Sequence, residues 1–139
     1  MIPAEKERAL TILRAVVDLA GPDAYTQVQT ACIELGLEPD VPPEIISYAI
    51  RNKAIILIDG MSSWSTPAIL RRLNEIKDFA ASTWGIRLEL TIHTPKNILT
   101  TTINFDAELS GSGLPGPFFL KVFRSAGSNV WRVKNRAVR

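Results

Sequence analysis

The amino-acid sequence predicts a single α+β domain spanning residues 1–139, with a helical N-terminal layer packed on a mixed, mainly antiparallel sheet of about five strands. Three observations carry this expectation. Apolar residues recur at helical spacing through the first half of the chain. From Arg87 onward they alternate with polar residues at the two-residue period of a strand with one buried face. At 139 residues and 46% hydrophobic content, the chain holds enough apolar material for one core. The expected division is a helical layer over residues 1–53, then a strand–helix–strand unit and two hairpins over 54–139.

The first helix follows Pro3, a residue suited to a first helical turn, and carries Ala9, Leu10, Leu13, Val16, Val17 and Ala20 on one side. Gly21-Pro22 stops it. A second helix is expected with Asp23 as its cap, Tyr25, Val28, Cys32 and Leu35 on one face, and Gly36 as its end. Pro42-Pro43 opens a short third helix with Ile45, Ile46, Ala49 and Ile50 inward. Arg51 and Lys53 would complement the dipole at its C-terminus.

Ala54–Ile58 is a continuous apolar run closed by Asp59-Gly60, and the expectation is a strand buried on both faces. Thr66-Pro67 begins a long helix with Ile69, Leu73, Ile76, Ala80 and Trp84 inward, ended by Gly85. Leading into the strand Ile86–His93, this reads as a βαβ crossover.

Leu88, Leu90 and Ile92 alternate with Arg87, Glu89, Thr91 and His93. After Thr94-Pro95-Lys96-Asn97 the alternation resumes with Leu99, Thr101, Ile103 and Phe105, which predicts a hairpin. Ser110–Pro117 is a Gly/Pro-rich loop, and a terminal hairpin follows. A turn at Ser125–Ser128 would pair Val122 with Trp131 and Leu120 with Val133, leaving Lys121 across from Arg132.

Charge is distributed unevenly about a net of +2. Residues 1–60 hold nine acids against five bases, whereas after Glu108 no acid occurs and six bases do: Lys121, Arg124, Arg132, Lys134, Arg136 and Arg139. Phe118, Phe119, Phe123 and Trp131 are interspersed with them. Cations mixed with aromatics in an acid-free stretch suit an anionic partner, and nucleic acid is the first expectation. Lys121, Arg124, Arg132, Lys134 and Arg136 would meet phosphates, while Phe119 and Phe123 stack on bases. An acidic protein surface, including that of a second copy in a homo-oligomer, is the alternative. The plainer account places the aromatics in the core and leaves the cations solvated. The segment Phe118–Arg124 lacks the glycine of the RNP1 pattern, so no family motif supports the nucleic-acid expectation.

Other motifs carry less. Gln27–Gly36 with Ile45 and Ile46 loosely fits a helix-turn-helix. Its connection Leu37–Pro43 is too long, however, and Glu44 opens a would-be recognition helix poor in donors. Ser62, Ser63, Ser65 and Thr66 precede or open a helix, where free N–H groups favour phosphate. That segment lacks the glycines and lysine of a P-loop, which leaves caps and turns as the simpler role.

Catalysis finds little support. His93, Asp59 and a serine from 62–65 make a triad by composition alone. Asp59 with Glu89 lacks the lysine two residues on that a metal-dependent nuclease carries, since Thr91 stands there. One cysteine and one histidine build no zinc site. The expectation is therefore a non-enzymatic module with no cofactor and no metal. The lone Cys32, a charged N-terminal stretch and the lack of a membrane-length apolar run fit a cytoplasmic protein with no membrane partner.

Overall fold

In the computed structural model, residues 2–37, 41–61, 66–93, 105–111, 118–124 and 130–135 are described. Four helices come first: α1 (Pro3–Ala20), α2 (Tyr25–Glu34), α3 (Pro43–Ile58) and α4 (Thr66–Trp84). Four strands follow: β1 (Leu88–His93), β2 (Phe105–Gly111), β3 (Phe118–Arg124) and β4 (Arg132–Asn135). The strands form an antiparallel meander in the order β1-β2-β3-β4. The α+β class holds, and the four antiparallel strands among the described residues agree with a mainly antiparallel sheet of about five.

The parallel unit disappears because Ala54–Ile58 is helical. It forms the last turns of α3, which runs unbroken from Pro43. No glycine or proline interrupts 44–58, and five consecutive apolar residues have no period of their own to separate strand from helix. Their burial shows the helix: Ala54 and Ile58, four apart, are fully buried, while the adjacent Ile55 and Ile56 are exposed. The apolar run follows from the place of α3, which packs on α1 and α4 and on strands β3 and β4. Asp59-Gly60 ends the helix rather than a strand. The Asp59 N–H donates to the Ile55 carbonyl at 3.0 Å, and Gly60 takes φ 79°, open to glycine at no steric cost.

Two smaller expectations change with it. Arg51 and Lys53 stand mid-helix, so they complement no helix end. Lys53 pairs with Asp23 at 3.4 Å and lies 5.0 Å from the Phe79 ring centroid, while Arg51 lies over the Tyr48 ring. Asp23 is thereby engaged elsewhere, and α2 starts from Ala24 without a side-chain cap.

One apolar cluster joins all layers. Leu10, Leu13 and Val17 of α1 meet Ile45, Ala49 and Ile50 of α3. Ile69, Leu73, Ile76 and Ala80 of α4 continue it to Leu88, Leu109, Leu120, Val122 and Trp131 on the inner side of the sheet. Polar ties brace the helices, with Lys6 pairing Glu44 at 3.1 Å and the Tyr48 hydroxyl donating to Asp18 Oδ1 at 2.6 Å. No helix among the described residues is long and apolar enough to cross a membrane.

The terminal hairpin is offset by two residues from the expected register. Val122 pairs with Val133 and Lys121 with Lys134, where Trp131 and Arg132 were expected. A two-residue offset returns every side chain to the same face, so the face assignment survives while the partners change. Trp131 lies just before β4, fully buried.

Candidate functional site

The sheet covers α3 and α4 with one face, and no helix or strand among the described residues packs on the other. Leu120 and Val122 are buried inward. Lys121 and Phe123 alternate with them and are half-buried on the outer face, where Arg132 and Lys134 of β4 are exposed. Glu89 and Thr91 of β1 are exposed on the same side. Strand alternation thus brings four of the expected anion-binding residues, Lys121, Phe123, Arg132 and Lys134, onto one strip.

Register orders that strip. One row across the sheet runs Thr91, Glu108, Lys121, Lys134, and the next runs His93, Asp106, Phe123, Arg132. Lys121 therefore stands between an acidic position on β2 and a like charge on β4. Opposed lysines weaken a strand pair. The Lys121 ammonium also lies 5.9 Å from the Phe123 ring centroid. Arg132 reaches Asp59 Oδ2 at 3.9 Å, so part of its charge is spent on the α3 terminus. Lys134 is exposed like Arg132, and no ion pair ties it among the described residues.

The other expected residues are placed less fully or not at all. Phe119 lies in register with Ser110, and Arg124 with Phe105. Arg136 lies outside the described residues, as do Ser62, Ser63 and Ser65 of the phosphate loop, while Thr66 is the first residue of α4.

The catalytic combinations come apart in space. His93 is on β1, and Asp59 contacts the outer edge of β4, at the opposite end of the sheet. Three strand spacings of about 4.8 Å separate those edges by about 14 Å, far beyond hydrogen-bond reach. Glu89 on β1 is likewise remote from Asp59. Among the described residues no three His, Cys, Asp or Glu side chains gather as a metal site would need. Burial pushes the Cys32 thiol above its ordinary pKa, which leaves it a core residue rather than a nucleophile.

Sequence reasoning missed two features. One is Asp59, which binds the backbone of β4. The other is a groove of about 590 Å³ between α4 and the β1 edge, lined by Lys77, Asp78 and Ala81 and by residues 87–91. The alternation of Arg87 and Glu89 with Leu88 marks them as outer-face residues, but nothing in it says that β1 ends the sheet.

No protein-family model, curated protein or solved structure matches this chain.

Proposed function

We propose that this chain is a non-enzymatic binding module whose β3–β4 strip contacts an anionic partner, nucleic acid foremost. The observation that supports it most is the alignment of Lys121, Phe123, Arg132 and Lys134 on the outer face of an antiparallel sheet. Two lysines in register repel each other across the strand pair, and a phosphate oxygen set between them relieves that repulsion. Phe123 beside them offers a ring to a base or sugar. Contacts of this kind read backbone and base faces, so affinity falls steeply with salt and varies little with sequence.

The acidic positions on β1 and β2 favour a second reading. Glu89 is exposed on β1, and the register places Asp106 and Glu108 of β2 between it and the basic positions, a sequence pattern that complements a protein surface of mixed charge.

Fluorescence anisotropy of labelled single- and double-stranded oligonucleotides at two salt concentrations tests the proposal. The variants of choice are Lys121→Glu and Lys134→Glu, because Arg132 also contacts Asp59 and its reversal would disturb the α3 terminus. Each should weaken binding and flatten the slope of log affinity against log salt by about 0.7 to 0.9 for the phosphate contact it loses. Unaltered binding by the folded double variant, or none by the wild type, would defeat the nucleic-acid reading. The first result would move the contact off this strip, and the second would direct the search to proteins.

A further inference from the structure

The two edges of the sheet are treated differently. On β4, backbone groups of alternate residues point to opposite edges, and those of Trp131 and Val133 turn away from β3. That edge is closed: the Gly60 N–H donates to the Trp131 carbonyl, the Trp131 N–H donates to the Met61 carbonyl, and the Val133 N–H donates to Asp59 Oδ1, each at 2.9 Å. On β1, at the other end, no strand pairs with the outer edge among the described residues.

The groove of about 590 Å³ runs along that β1 edge. Residues from both faces of the strand, Leu88 and Leu90 inward, Glu89 and Thr91 outward, line it together, so it follows the backbone rather than either face. Lys77 and Asp78 flank it from α4. β1 carries no proline or lysine, the residues that commonly blunt an edge, and Ile92 near its end is 41% exposed.

The sequence of this edge is complementary to itself. A second copy pairing antiparallel through a two-fold axis perpendicular to the sheet must be centred on a residue, which keeps inner faces on one side and outer faces on the other. Centring on Glu89 would set Glu89 against its own copy, a like-charge pair. Centring on Leu90 sets Glu89 against Thr91 and Arg87 against His93, with no opposite charges matched. Centring on Leu88 sets Arg87 against Glu89 twice, once on each side of the axis, with Leu88 meeting its own copy on the inner side.

We propose that the β1 edge is a homodimerisation surface on which a second copy of this chain pairs antiparallel about Leu88, through reciprocal Arg87–Glu89 pairs. The two meanders then form one eight-stranded sheet, with β1 and its copy at the centre and the basic β3–β4 strips at its two ends on the same face. The proposal is independent of what those strips bind.

Sedimentation analysis over micromolar to near-millimolar protein tests it with three exposed-face variants. The wild type should be a concentration-dependent dimer. Arg87→Glu and Glu89→Arg, each folded by circular dichroism, should weaken dimerisation about tenfold or more, since each makes two like-charge pairs. The double change Arg87→Glu/Glu89→Arg should restore it, because the reciprocal pairs reform with their signs exchanged. Amide exchange at residues 86–90 should slow as wild-type protein concentration rises. A wild type that stays monomeric throughout overturns the proposal and leaves the edge to an extended peptide from another protein. A dimer indifferent to the single changes, or not recovered by the double change, overturns it as well. So does exchange at 86–90 that ignores concentration.

Discussion

The carboxylate of Asp59 accepts a hydrogen bond from the backbone N–H of Val133 at 2.9 Å, tying the end of α3 to the edge of β4. The residue that ends the central helix thus closes the last strand, across a sequence separation of 74 residues. Asp59→Ala leaves this half-buried N–H without its acceptor and should cost about 1–3 kcal/mol in urea unfolding. Asp59→Asn keeps a carbonyl oxygen in reach and should cost less, because the Arg132 contact at 3.9 Å is a partly exposed ion pair of small worth. Equal losses for the two variants would assign the stabilisation to charge rather than to the hydrogen bond.

Trp131 anchors the same junction from the inside. It is the largest fully buried side chain among the described residues, and its backbone joins Gly60 and Met61. Trp131→Ala should destabilise the fold by about 3–5 kcal/mol through lost burial and the cavity left behind. Against a typical total of about 5–15 kcal/mol, that is a large share. A chain ending at Asn129 loses Trp131 together with β4 and should show no cooperative thermal transition by circular dichroism. The basic strip must therefore be probed by point substitution.

These two residues show what the sequence made legible. The inward positions of α4, Ile69, Leu73, Ile76, Ala80 and Trp84, follow from their spacing and are all buried. Alternation likewise separates the buried Leu88, Leu120 and Val122 from the more exposed Glu89, Thr91, Lys121 and Phe123, although Ile92 at the end of β1 is exposed. Ala54–Ile58 was illegible because an element buried on several sides loses its period, and the strand expectation had only composition to rest on. The pairing of Lys121 was illegible for another reason. Alternation specifies which face a residue takes but is blind to a two-residue offset, so it gives the basic strip without giving the neighbours within it. Asp59 was visible as the end of an apolar run expected to be a strand, while its bond to Val133 depends on how the chain folds back across the whole domain.

Tyr48 gives the fold a pH dependence in the alkaline range. Its hydroxyl donates to Asp18 Oδ1, and that bond, followed by partial burial and the Asp18 charge, raises the phenol above its ordinary pKa. A raised folded-state value means the native state holds the proton more tightly than the unfolded chain does. The associated stability is fully present below the unfolded value of about 10 and is lost as pH rises through the folded value. Near-ultraviolet phenolate titration should show one late-ionising tyrosine, absent from Tyr48→Phe. The stability difference between wild type and Tyr48→Phe, about 0.5–1.5 kcal/mol near neutral pH, should shrink over the same alkaline range. A difference that persists unchanged there would sever the bond from the titration.

Gly111 stands opposite Leu88 in the β1–β2 register, and a Cβ added to it would lie 2.8 Å from Leu88 Cδ2. The glycine is there for room, because Leu88 uses the space above it to reach the core at 3% exposure. Gly111→Ala should cost about 1–3 kcal/mol by overpacking. The cost depends on a single side-chain terminus, since the next nearest atom, the Arg87 carbonyl oxygen, is 3.6 Å away at ordinary contact. Shortening the opposing residue with Leu88→Val removes that terminus. The double variant should therefore lose less stability than the sum of the two single losses, by at least about 0.5 kcal/mol. Strict additivity in denaturant unfolding would show that the alanine is resisted by the β2 backbone rather than by Leu88.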